Sequence, residues 1–252
     1  GQTLMIRIAP YGKAGQSREE PPEWYRRRVG DESGLSQQYG WRTDPENPLY
    51  AECFGRMIRA FGARYDGHPD LESVDLSIVG PWGEGAGSSA LSRRAREALV
   101  GAYTDAFDKT PLLMLLTDEK TNGYGLSRRP VGWRVDCLGD MGGFSPTWCH
   151  MLDYYPQAIV NFGMAEAWRK APVSLEVCWV MHHWRNKGWD VDYIIDESLK
   201  WHISSFNGKS SAVPEEWWPQ VNRWLKRMGY RLLLRKFTYP ASVKAGGRLD
   251  FT

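Results

Sequence analysis

Val74-Asp75-Leu76-Ser77-Ile78-Val79-Gly80-Pro81-Trp82-Gly83-Glu84 is the stretch on which the reading of this chain turns. Its first six residues alternate apolar side chains with Asp75 and Ser77, the pattern of a short strand. Gly80-Pro81 ends the strand, and a tryptophan and a glutamate follow in a glycine-rich loop that runs to Gly87. Residues 89–107 then fit a helix, with Ser88 or Ser89 as its cap. Strand, loop and helix make one βα unit. In parallel α/β proteins the working side chains stand in the loop leaving the carboxyl end of such a strand.

The same unit recurs on both sides. Upstream, Leu4-Met5-Ile6-Arg7-Ile8 reads as a strand, a long polar loop passes through Pro21-Pro22-Glu23-Trp24, and 48–65 fits a helix with Leu49, Phe54, Met57, Ile58 and Phe61 on one face. Downstream, Leu112–Leu116 is an apolar run suited to cover on both faces, and Val131–Val135 is a weaker strand. Val173–Trp179 and His202–Phe206 complete the strands. Helices fit 155–169, 190–200 with Asp190 as cap, and Pro214 to Gly229, where Trp217, Trp218, Val221, Trp224 and Leu225 give an apolar face. These six units fall short of the eight of a closed barrel. The expectation is an α/β chain, a (β/α)8 TIM barrel lacking its first two βα units, over residues 1–229. Residues 230–252 change to β-like runs around Pro240 and Gly246-Gly247, the expected start of a β-sandwich-like domain. An open doubly wound sheet is the alternative. It needs no missing units, but no G-x-G-x-x-G follows a strand.

Composition narrows the function. The chain has 252 residues, 42% hydrophobic and 25% charged, with a formal net charge of +2. Near neutrality argues against a nucleic-acid partner held by phosphate neutralisation. No apolar run approaches the ~18 residues of a membrane span, so no membrane partner is expected. The 13 tryptophans and 12 tyrosines exceed what a core of this size needs. Some are expected to line a cleft, where flat aromatics stack on sugar rings, and the rest to pack the core and interfaces. Cys53, Cys137, Cys149 and Cys178 show no metal spacing and suit small buried residues, with a Cys137–Cys149 bridge left open. The chain begins Gly1-Gln2 without Met and enters a strand at once, so the true N-terminus is expected to have been removed; a secreted or periplasmic location is expected, with no signal peptide visible.

The strand ends supply acids and aromatics. They offer Arg7 and Tyr11, then Trp82 and Glu84, Asp118, Asp136 with Asp140, Glu176, Trp179, His182 and His183, and finally Asn207 and Lys209. A glycosidase cleft uses the same chemistry, two carboxyls flanking the scissile bond and aromatic faces holding the rings. Glu176 is the sharpest signal. It interrupts an apolar strand, and alternation turns Val173, Leu175 and Val177 toward the helices and Ser174, Glu176 and Cys178 toward the interior. It is read as a nucleophile or as a buried glutamate paired with Arg7 or Arg134. Glu84, beside an indole, is read as a general acid of raised pKa or as a solvent-exposed loop residue. Asp118 and Asp136 fit sugar binding or barrel-core ion pairs equally. His182-His183 have no third ligand in register, so no metal and no cofactor is expected.

Arg-Ile-Ala-Pro-Tyr at 7–11, Pro-Glu-Trp at 22–24 and Trp-Gly-Glu at 82–84 resemble a bacterial family of glycosidase-like barrels that carry a C-terminal domain of unknown function and are related to the β-galactosidase-type retaining glycosidases. The resemblance covers most of the chain. It implies that the six strands are barrel strands three to eight, with Glu84 matching the acid/base at the end of strand four and Glu176 the nucleophile at the end of strand seven. It also implies partners within the same protein, the remaining barrel units and the C-terminal domain. One position departs from the pattern: the related enzymes place Asn directly before the acid/base to bind the sugar 2-hydroxyl, and Gly83 stands here.

The expectation is therefore a retaining glycoside hydrolase acting on a β-linked oligo- or polysaccharide, with Glu84 and Glu176 catalytic and Arg7, Tyr11, Trp82, Asp118, Asp136, Trp179, His182 and Asn207 around the substrate. The carboxyls should lie roughly 5–5.5 Å apart. The alternatives are a non-catalytic carbohydrate-binding barrel, favoured by Gly83, and an unrelated α/β enzyme or interaction module with the two glutamates far apart.

Overall fold

The computed structural model describes residues 3–12, 21–30, 32, 35, 37–229 and 236–250. Among these residues six parallel strands lie side by side in chain order: β1 (Leu4–Arg7), β2 (Leu71–Leu76), β3 (Leu112–Leu115), β4 (Gly132–Leu138), β5 (Val173–Val177) and β6 (Ser205–Asn207). β3 is buried along its whole length, as its unbroken apolar run foretells. On β5, Val173, Leu175 and Val177 join the helix-facing core, while Ser174 and Glu176 turn inward, as alternation predicts.

The sheet curls. Arg7 on β1 donates to Asp136 on β4 at 3.0 Å and to Glu176 on β5 at 3.2 Å. In a flat sheet with ~4.8 Å between neighbours, β1 and β5 would stand about 19 Å apart, beyond any side chain. The Ser205 hydroxyl of β6 also lies 3.4 Å from the Met5 sulfur of β1. The strands thus form a half-barrel with a polar concave side, and helices cover the outside.

Among the described residues eight α-helices flank the sheet: α1 (Glu23–Val29), α2 (Pro48–Tyr65), α3 (Arg93–Ala106), α4 (Glu119–Arg128), α5 (Tyr155–Asn161), α6 (Met181–Asn186), α7 (Val191–Lys200) and α8 (Trp218–Arg227). Asn47, Ser92, Asp118 and Asp190 cap α2, α3, α4 and α7 with side-chain oxygens on first-turn amides. Several expectations change. α3 begins at Arg93 with Ser92 as its cap, because Ser88 and Ser89 belong to a separate 3-10 turn. The helix expected over 155–169 ends at Asn161 and resumes as a 3-10 turn at Ala167–Arg169; a π-helical turn, His150–Tyr154, precedes it. α1, α4 and α6 carry no apolar stripe long enough to announce them. α4, with Gly123 and Gly125, depends on the Asp118 cap. On α8, Val221 and Trp224 are buried, whereas Trp218 and Leu225 are exposed.

All four cysteines are free, and Cys137 lies against Cys178, not Cys149. No helix among the described residues is long and apolar enough to cross a membrane. Much of the β-like stretch at 230–252 lies outside the described residues, and 236–250 carry no helix or strand.

Candidate active site

Arg7, the last residue of β1, is the hub. Its Nε donates to Asp75 Oδ2 at 3.2 Å, its Nη2 to Asp136 and Glu176, and its Nη1 to the Trp82 carbonyl at 3.2 Å, with Glu84 Oε1 3.7 Å from Nη1. Behind it, the buried Arg134 of β4 donates to Asp75 at 2.6 Å and to Glu176 at 3.2 Å and pairs with Asp136. Glu176 also faces Lys209 Nζ at 3.2 Å and accepts from Asn207 Nδ2 at 3.4 Å. Among the described residues, four carboxylates (Asp75, Glu84, Asp136, Glu176) therefore meet three cations (Arg7, Arg134, Lys209), leaving one negative charge in excess.

Burial is the largest influence on the proton affinities of two of these carboxyls. Burial raises Glu84 above its ordinary range; Arg7 pulls it down and the charge on Glu176 pushes it further up. Burial likewise pushes Asp75 up to about 6 against the pull of Arg7.

Glu84, Asp136 and Glu176 each offer an oxygen within 4.8 Å of the other two. Such a trio has the spacing of a cation site, but the guanidinium of Arg7 contacts all three and supplies the positive charge there.

The loop carrying Glu84 is strained. Trp82 sits at φ 54° inside the 3-10 turn Pro81–Gly83, a conformation costing an L-residue about 1–2 kcal/mol. Trp179, after β5, repeats it at φ 54°. Gly83 has φ +71°, and a Cβ there would fall 1.9 Å from the Ser77 hydroxyl oxygen. A side chain at this position, Asn included, is therefore incompatible with the loop as built.

A cavity of about 340 Å³ opens beside Glu84, with Asp136, Trp148, His150 and Tyr154 on its walls. A second, of about 260 Å³, lies within the half-barrel against Arg7, Arg134, Glu176 and Asn207.

Comparison with protein-family models, with curated proteins and with solved structures returns no match.

The fold brings Arg7, Glu84, Asp136, Glu176 and Asn207 into one network, with Trp82 half exposed at its edge. It gives other residues different work. Tyr11 is buried, its hydroxyl accepting from the Gly80 amide at 3.2 Å and its carbonyl from the Trp82 amide at 2.8 Å. It props the loop from beneath and offers no face for stacking. Asp118 caps α4 and accepts from Ser88 Oγ at 2.7 Å, so it is neither an ion-pair partner nor an open sugar ligand. Trp179 stacks between Phe144 and His183, at centroid distances of 4.8 and 4.6 Å. Gly143 permits this, since a Cβ there would meet the Trp179 ring at 2.1 Å. His182 lies on α6 and lines neither cavity.

Asp75 was not among the expected site residues, and Arg134 was expected only as an ion-pair partner of Glu176. Both interrupt apolar strands with inward alternation, the signal that marked Glu176. Trp148, His150 and Tyr154 carried none, because they lie in a loop and a π turn without periodicity.

Proposed function

We propose that the chain is a retaining glycoside hydrolase acting on a β-linked oligo- or polysaccharide outside the cytoplasm, its six strands being strands three to eight of a (β/α)8 barrel. The observation that carries this reading is the pairing of Glu84 and Glu176. They come from the ends of β2 and β5, and their nearest oxygens approach within 4.8 Å. Retaining enzymes hold their carboxyls about 5–5.5 Å apart, and inverting ones about 6.5–9.5 Å to admit a water.

The roles follow from the surroundings. Glu176, with Arg7, Arg134 and Lys209 offsetting its charge, attacks the anomeric carbon and forms a glycosyl-enzyme. Glu84, its proton held by burial, protonates the departing oxygen and then takes the proton from the water that releases the sugar. Arg7 contacts both carboxylates and keeps them in mutual register. Turnover of 4-nitrophenyl β-glycosides tests the assignment. Glu176→Gln should lower kcat by roughly 10⁴-fold or more, and an unchanged rate would remove Glu176 from the mechanism.

A non-catalytic carbohydrate-binding barrel is the second reading, and the crowding of Glu176 by Arg7, Arg134, Lys209 and Asn207 favours it. A carboxylate so fully engaged is a weaker nucleophile. Calorimetric binding of an oligosaccharide without cleavage on long incubation would select it.

A further inference from the structure

The geometry points to the cavity beside Glu84 as a leaving-group subsite for a neutral pyranose ring, with Trp148 as its platform and His150 as its polar reader. This rests on the hydrolase reading for the direction of cleavage. Glu84 lines this cavity, and Glu176 lines the other one. The acid protonates the departing oxygen, so the ring on its side, away from the nucleophile, is the one that leaves.

The walls are built for a ring. Trp148 is about one-third exposed, large enough to cover a sugar face while anchored by its edge contact with His150 at 4.6 Å. Asp140, fully buried, accepts from His150 Nδ1 at 2.6 Å and from the amides of Gly142, Gly143 and His150. The imidazole is thereby fixed in orientation. Its Nε2 has no partner among the described residues and is left for a hydroxyl. The Tyr154 hydroxyl donates to the carbonyls of Leu116 and Thr117, which locks the third wall. His150 and Tyr154 belong to the π-helical turn His150–Tyr154, a distortion that recurs at functional sites, and Trp148 lies two residues before it. A volume of about 340 Å³ is at the low end for small-molecule sites, which suits a mono- or disaccharide unit and not a long chain. Arg134, the one arginine or lysine on these walls, is already engaged by Asp75, Asp136 and Glu176, so no free cation is left there to hold a uronate carboxylate.

The test is calorimetry on Glu176→Gln protein, which should bind without turnover, using the β-1,4-linked disaccharides galactobiose, cellobiose, mannobiose and dimannuronate. At least one neutral disaccharide should bind with millimolar affinity. Trp148→Ala should weaken it tenfold or more and Trp148→Phe no more than about threefold, while dimannuronate should give no heat. His150→Gln should also weaken binding, and it carries the test if Trp148→Ala fails to fold. The proposal is overturned if none of the three neutral sugars binds, if dimannuronate binds as well as they do, or if neither the Trp148 nor the His150 variants change affinity. Binding that depends on Trp148, with no cleavage by the unmodified chain, sinks the hydrolase reading alone. Cleavage with no dependence on Trp148 or His150 sinks the subsite alone.

Discussion

Glu84 sets the pH response. A general acid works only while protonated, so kcat/KM falls as pH rises through its pKa. Burial places that fall above the ordinary glutamate range. Arg7 opposes the shift, and Arg7→Met should move the alkaline limb to higher pH while weakening the whole site. Glu84→Gln should remove that limb and lower the rate about 10²–10⁴-fold on substrates with poor leaving groups, with much smaller loss on dinitrophenyl glycosides. pH–rate profiles of the three proteins decide this; an alkaline limb that persists in Glu84→Gln assigns it to another group. One position away, Gly83→Ala would force a Cβ against Ser77 in a left-handed backbone. A cost of about 2–4 kcal/mol is expected in urea unfolding, together with loss of activity. The two glutamates were legible from sequence because a charge beside or within an apolar strand is a local anomaly. The work of Tyr11 and Asp118 was not, since a hydroxyl or carboxylate at a strand end looks the same whether it meets a ligand or a backbone amide.

At the scale of elements, caps and loop ties do what apolar stripes do not. Asp66, at the end of α2, accepts from the amides of Asp108, Lys109 and Thr110 and so ties that helix to the turn before β3. Burial alone would raise its pKa, but these amides outweigh burial and hold it low. A carboxyl depressed in the folded state contributes stability above its unfolded pKa and loses it as pH falls through the folded value. Asp66→Ala should therefore cost about 1–2 kcal/mol at pH 7, and the difference should shrink as pH falls below the ordinary aspartate range. Thermal melts across that range would check it, and a deficit independent of pH would mean a packing role. Helices with a continuous apolar face, α2 and α7, were foreseen closely. α4 and α6 were not, because α4 leans on a cap and α6 is too short for periodicity to show.

For the whole molecule, the arginines on the concave side hold the curled sheet. Arg134 bonds Asp75 of β2 and Glu176 of β5 and pairs with Asp136 of its own strand, and its side chain is 4% exposed. Removing it leaves buried carboxylates without their counter-charge, so Arg134→Met should cost about 3–5 kcal/mol in urea unfolding. Loss of less than ~1 kcal/mol would mean that the acids simply take up protons and that the network does little for the fold. Because Arg134 also faces Glu176, activity should fall along with stability.

The parallel βα order, the inward face of β5 and the candidacy of Glu84 and Glu176 could be read from the chain itself, since alternation, strand ends and glycine-proline stops are properties of neighbouring residues. The meeting of those two carboxylates around Arg7 could not. It depends on strand twist accumulating over the sheet until β1 faces β5, and on side chains as far as 169 residues apart competing for the same space. The cavity walls at Trp148, His150 and Tyr154 belong with that second class, because only the curvature of the sheet carries an irregular loop to the mouth of the half-barrel.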